Sequence, residues 1–298
     1  MTAPTSPTSP TSPTSPTSPA NAVSPARPRT VDGLLSDVLA GAYGPDPAGL
    51  TATSAFWIHH GTRLAGGDTT YLNQYVLIRL GGSFGACAFE AGEIDPAVCR
   101  EASGAPLDVL LREAPRPVRI AALDAYLTEA DPHSRAARAE PVPLPAGTPE
   151  TRAKARDAAV AGLLDIAPGA RVGLIGVVNP LVAAVRERGG SPLLCDFNLR
   201  TTQWGDPVSD SAETVLADSD VVIATGMTLG NGTFDTVLAR CRRRAVPLIV
   251  YAQTGSAVAR AFLGSGVTAL SAEPFPFSQF SAEPTTLYRY RAPAGTGA

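Results

Sequence analysis

From Val31 to Ala42 the apolar residues Val31, Leu34, Leu35, Val38 and Leu39 recur at helical spacing, and Gly44-Pro45 ends the pattern. The period then changes to two. AFWIHH at 55–60, YLNQYVLIRL at 71–80 and FGACAFE at 84–90 are strand-like runs, punctuated by Gly66-Gly67 and Gly81-Gly82, which predicts an antiparallel meander. Asp95-Pro96 opens a short helix, and 106–114 and 118–130 read as two more. Residues 30–140 thus form an α+β domain. Between His133 and Pro149 four prolines fall within nine residues, and the segment reads as a linker without regular structure.

Beyond it, a helix from Pro149 to Leu164 leads into short apolar runs at 172–177, 192–198, 220–226, 247–253 and 267–273, separated by helix-length segments. This alternation predicts a Rossmann-like α/β domain over 150–290, a parallel sheet covered on both faces. Only two strands precede DVVIATG, which favours a 2-1-3-4-5 order over the six-stranded dinucleotide arrangement.

Ligands in such sheets bind at the carboxyl ends of the strands, so polar residues there are the candidates. Gly173 and Gly176 make a G-x-x-G and not the G-x-G-x-x-G of a dinucleotide fold. Asn179-Pro180 is a natural helix start, whose free N–H groups can hold a phosphate or carboxylate. Asp196 stands where an acidic residue meets a ribose hydroxyl, and equally where a turn former belongs. The densest polar segment is TGMTLGNGT at 225–233, which supplies Thr225, Gly226, Thr228, Asn231, Gly232 and Thr233 after a buried strand. Asn231 or Thr233 would cap the helix from Phe234. Gln253 and Thr254 close the next strand in the same way.

Composition narrows the partners. Twenty-four Lys plus Arg against 27 Asp plus Glu leave a charge of −3, with no surplus to neutralise a nucleic-acid backbone, and the run Arg242 to Arg244 falls at an expected helix end. Cys87, Cys99, Cys195 and Cys241 form no C-x-x-C, so neither a disulfide framework nor a zinc knuckle is signalled, and a reducing cytoplasm fits best. No run approaches the ~18 apolar residues of a membrane span, and the start of the chain lacks signal-peptide features. Residues 5–19 are five Thr-Ser-Pro triplets, so 1–29 reads as a disordered tail. His59 and His60 are adjacent and point to opposite faces of a strand, so no metal cluster emerges. Known catalytic motifs are missing too, which leaves cofactor, reaction and oligomeric state, a homodimer included, unread.

The run VGLIGVVNPLVAAVRERGG, then CDFN, then DSDVVIATGMTLGNGTFDTVL, resembles the Rossmann-like domain of the family catalogued as "Putative heavy-metal chelation". Before it, GTR at 61–63, YLNQYVLIRL and the helix ending LDAYL are similar to that family's small domain, which resembles the enolase N-terminal domain. The resemblance implies metal handling, with ligands drawn from Cys195, Asp196, His60 and carboxylates. The residues themselves favour the other expectation: a small-molecule-binding protein or metabolic enzyme whose strand-end pocket takes an anionic nucleotide or amino-acid-like ligand.

Overall fold

The computed structural model describes residues 27–63 and 70–293, so the Thr-Ser-Pro triplets lie outside the described residues. Helix α1 (Val31–Leu39) starts at Thr30, whose hydroxyl accepts the Gly33 N–H. The meander follows as β1 (Ser54–Arg63), β2 (Thr70–Leu80) and β3 (Ser83–Phe89), antiparallel and in that order across the sheet. Three helices come next: α2 (Val98–Ala102), α3 (Leu107–Glu113) and α4 (Arg116–Ala130).

Every residue of α4 from Ile120 to Leu127 is buried, and a helix buried on all sides must pack against structure on all sides. One side meets β2 and β3. The approach is so close that a Cβ on Gly85 would sit 2.0 Å from the Ala125 nitrogen and 2.2 Å from the Ala121 oxygen. The other side meets two helices of the second half of the chain.

That half contains β4 (Glu140–Leu144), α5 (Pro149–Ala161), β5 (Arg171–Ile175), α6 (Asn179–Glu187), β6 (Ser191–Cys195), α7 (Ala212–Asp218) and β7 (Val221–Thr225). It continues with α8 (Met227–Gly230), α9 (Phe234–Arg244), β8 (Leu248–Ala252), α10 (Ser256–Ala261), β9 (Ala269–Ala272) and β10 (Thr285–Arg291). The seven strands lie in the order β4-β10-β9-β8-β7-β5-β6. β5 to β9 are parallel, and β10 runs antiparallel to both β9 and β4. This mixed α/β sheet is mostly parallel, as the alternation implied.

Two elements depart from the sequence reading. The Pro-rich segment taken as irregular carries β4, which pairs with β10 from Thr285↔Leu144 to Arg289↔Glu140. Pro141 and Pro143 alternate, which puts the missing donors on the open side of an edge strand, where proline is tolerated. Residues 27–29, assigned to the tail, are held: Arg27 donates to the Gly264 carbonyl, and Ser265 and Arg242 donate to the carbonyls of Pro28 and Arg29. Among the described residues no helix is long and apolar enough to cross a membrane.

The largest core cluster runs through both halves, from Leu34, Val76 and Leu123 to Val222, Val250 and Phe262. Within it lies one charged group, Asp124 on α4. Its carboxylate accepts the Ala86 N–H of β3 at 3.0 Å and the Ala257 N–H of α10 at 2.8 Å, so a single side chain ties the meander to the second half of the chain. Burial pushes this carboxyl up to about 6 despite those donors. Nearby, His133 bridges the Tyr290 and Ser256 hydroxyls at 2.7 and 3.1 Å, and burial, helped by Arg260, holds it down to about 3.

Gly85→Ala should lower stability by on the order of 3 kcal/mol, because the new methyl meets backbone on both sides; urea denaturation measures it. The buried pair also sets a pH dependence. Asp124, raised when folded, contributes stability that is full below its unfolded value of 3.8 and is lost as pH rises through about 6. His133, depressed when folded, contributes stability that is full above 6.5 and is lost as pH falls towards 3. The two oppose each other between pH 4 and 6. In Asp124→Asn only the histidine contribution remains, so the stability difference between wild type and variant should grow by up to ~1.4 kcal/mol per pH unit on acidification through that window. A difference that stays flat with pH would show that Asp124 is not titrating there.

Candidate functional site

A cleft of about 590 Å³ lies where the carboxyl ends of β5, β6, β7 and β8 face the meander and the start of α5. Its sheet-end wall holds Gly176, Asp196, Thr225, Gly226, Gln253 and Thr254, all singled out from the sequence. The meander contributes His60, Asn73 and Tyr75 to the opposite wall, and Leu72, Phe89, Val177 and Met227 make much of the lining apolar.

The remaining sequence candidates lie elsewhere. Gly173 sits in mid-strand under Ser219, where a Cβ would meet the Ser219 hydroxyl at 2.2 Å, so it serves close packing. Asn179 is the first residue of α6 and not its cap; it is buried and its Oδ1 accepts the Gln203 N–H. Thr228 is buried and donates to the Thr225 carbonyl. The segment 225–233 is not an open loop, because α8 turns the chain away from the cleft and seats Gly230 on β3, where a Cβ would lie 2.3 Å from the Ala88 oxygen. Asn231 thereby closes a local turn, its Oδ1 accepting from the Thr233 N–H and hydroxyl; Thr233 stands at the N-cap of α9 without a side-chain cap bond, so neither residue caps that helix as expected, and Gly232 packs beside Arg116. Of this polar run only Thr225, Gly226 and Met227 line the cleft.

Asp196 resolves in favour of the turn. One of its oxygens accepts the Val177 N–H at 2.9 Å, and the other accepts the N–H groups of Asn198 and Leu199. Its carboxylate therefore occupies the anion position beside the start of α6, where a ligand phosphate was expected. The thiol of Cys195 is buried in the core and pushed up by that burial, and His60 Nε2 bonds to the Thr62 hydroxyl. Among the described residues no three His, Cys, Asp or Glu side chains converge as a metal site, so the expected ligand set of Cys195, Asp196 and His60 does not assemble.

Sequence reasoning missed the floor of the cleft. Arg156 of α5 is the one Lys or Arg that lines it among the described residues; it is almost fully buried, with Nε on Asp157 at 3.2 Å, Nη1 on the Ser278 hydroxyl at 3.2 Å, and its guanidinium over the Tyr251 ring. Burial weakens its charged form, but Tyr251, Asp157 and Glu273 outweigh that and hold it protonated. Glu273 in turn accepts from the Ser278 N–H and from Gln253 Nε2, and Gln253 and Gln279 bond amide to amide. The spacing Arg152, Arg156, Asp157 among alanines reads as a solvated helix face. Its only discordant feature is that these charges sit on the stripe α5 buries.

Thr225 Oγ1, Asp157 Oδ2 and His60 Nδ1 are among the buried side-chain atoms without a hydrogen-bond partner among the described residues, and Thr225 and His60 line the cleft. Burial also lowers the His60 pKa, so its ring is neutral and offers one donor and one acceptor. Glycine is required at 176, at φ 92°, because a Cβ there would meet Thr225 Oγ1 at 2.4 Å.

Residues 159–272 match the model of the DUF364 family, described as "Putative heavy-metal chelation". The expected resemblance is shown. Two solved structures of proteins of unknown function from that family share the fold. The one from Desulfitobacterium hafniense is 15% identical, with 87% of this chain and 95% of that chain covered at a TM-score of 0.55. The one from Pyrococcus horikoshii is 14% identical, with 87% and 97% covered at 0.52. No curated protein matches the chain.

The orphan hydroxyl gives a test. Because a buried unsatisfied group costs ~1–3 kcal/mol, Thr225→Val should leave stability unchanged or raise it by ~1 kcal/mol while weakening whatever the cleft binds. Destabilisation in thermal melts would show that Oγ1 already has a partner.

Proposed function

We propose that the protein handles metal by binding a small metal–chelate complex, or an organic cation of like size, in the cleft between the meander and the strand ends. The observation that carries this reading is the charge of the lining. Among the described residues Glu90 and Asp196 stand on the wall against a single cation, Arg156, whose charge Asp157 and Glu273 already answer from behind. Glu90 Oε1 accepts from Asn198 Nδ2, and its Oε2 has no partner among the described residues. Such a lining attracts positive charge and repels a phosphate. Among the described residues the side chains do not fit a bare ion, so the metal is cargo, carried by donors of the small molecule, with apolar walls for the organic part. The family match supports the metal and is silent on the chelator.

A second reading, an anionic nucleotide or amino-acid-like ligand, is favoured by one feature: Arg156 Nη2 makes no hydrogen bond among the described residues. Calorimetry separates the two. Nickel(II) chloride, a one-to-one nickel(II)–histidine complex and adenosine diphosphate are titrated into untagged protein and into Glu90→Gln. The proposal expects the complex to bind at least ten-fold more tightly than the metal alone or the nucleotide, and several-fold more weakly to the variant. Nucleotide binding that is tighter than the complex and indifferent to Glu90→Gln would overturn it.

A further inference from the structure

We infer that a second groove, which shares no residue with the cleft, binds an oligophosphate. This groove, of about 490 Å³, is lined by Arg27, Arg138, Arg260 and Arg291 against one acidic side chain, Asp131. In a chain whose net charge is −3, that is a concentrated positive patch. Its arginines are positioned and not merely solvated. Arg27 is braced by the carbonyl of Gly264, while Arg291 only borders the groove, because its guanidinium turns to the α5 face of the sheet and donates to the carbonyls of Leu163 and Gly162. Arg260 is braced by the Asp131 carboxylate at 3.2 Å, while its Nη1 is buried with no partner among the described residues.

Arg138 supplies an independent observation. It is a non-glycine residue in the left-handed region, at φ 67°, a strained conformation that persists only where the surroundings impose it. Its side chain is exposed and makes no hydrogen bond or ion pair among the described residues, so nothing within the fold accounts for an arginine there. A glycine would hold the same turn without strain. What arginine adds is a free guanidinium on the wall of a groove that Arg27 and Arg260 also line.

Planar, permanently charged forks along one short groove fit an anion that carries several phosphate groups in a row, because each group can take a pair of N–H donors. The groove's size limits the ligand to a small molecule. An extended nucleic-acid backbone would have to cross the acidic remainder of the surface.

The test is titration of sodium tripolyphosphate and of inorganic phosphate into the full chain at low ionic strength, compared with Arg27→Glu/Arg138→Glu and with Arg138→Gly. Tripolyphosphate should bind at least ten-fold more tightly than phosphate, with an affinity that falls as salt rises. The double variant should lose at least ten-fold in affinity while keeping its melting temperature within a few degrees. Arg138→Gly should melt higher and bind more weakly, a combination that a purely structural role for Arg138 does not produce. Absence of binding, equal affinity for the two anions, or unchanged affinity in both variants would overturn the inference.

Discussion

The structure depends on one buried carboxylate. Asp124 sits in the fully buried stretch of α4, Ile120 to Leu127, and its two oxygens take backbone N–H groups from elements far apart in sequence, Ala86 of β3 and Ala257 of α10. Both donors lie at places where the backbone would otherwise be unsatisfied: β3 lies at the edge of the meander, and Ala257 lies in the first turn of a helix. A charge there is costly, as its raised pKa records, and it is retained because removing the acceptor would strand two N–H groups inside the core. The cleft follows from this arrangement. With α4 pinned to both halves, the face of the meander that carries His60 and Asn73 is set opposite the strand ends that carry Thr225 and Gln253.

The same logic of internal satisfaction shapes the electrostatics of the cleft. In an open α/β sheet the start of the helix after the first strand is the natural anion site, yet here Asp196 fills it with a carboxylate from the next strand. Arg156, the only cation on the wall among the described residues, likewise spends its charge on Asp157 and Glu273. A site whose two anion-attracting features are both answered from within presents outward what remains: Glu90, a neutral imidazole, a buried hydroxyl and apolar surface. That residue of unanswered groups is what separates this cleft from a nucleotide site of similar architecture.

Much of this was legible in the sequence, and the parts that were not have physical reasons. The apolar runs of β5 to β9 and the helical period of α1 and α4 stood out, because burial on a fixed face leaves a period in the chain. β10 was missed although TTLYRYR alternates, since tyrosine and arginine, which read as surface, occupy its two faces: Tyr290 is buried against His133, and Arg289 and Arg291 bond to carbonyls at the end of α5. β4 was missed because proline is a strand breaker everywhere except at an edge, and edge placement is a property of the whole sheet. For the cleft, strand ends located Gly176, Thr225 and Gln253, because position alone decides them. Glycine-rich polarity misled at Asn231 and Thr233, where a four-residue helix redirects the chain. Arg156 and Glu273 were invisible because their importance lies in being buried together, and nothing in their own neighbourhoods marks charges that meet across 117 residues.

The continuity of the core bears on how the cleft can act. Where two domains meet through a polar interface, a ligand site between them opens and closes with their relative motion. Here the cluster containing Leu123 and Phe89 is the one containing Val222 and Phe262, and Gly255, at the head of α10, donates its N–H to the Ala86 carbonyl of β3 at 2.8 Å. Separating the walls of the cleft would break that bond, free both N–H groups held by Asp124, and expose apolar surface along α4. Those losses fall together, because the groups share one helix. The cleft is therefore held open at nearly fixed width, and selection among ligands rests on the shape and charge of a preformed site, with adjustment confined to side chains at its mouth such as Leu72, which is 80% exposed.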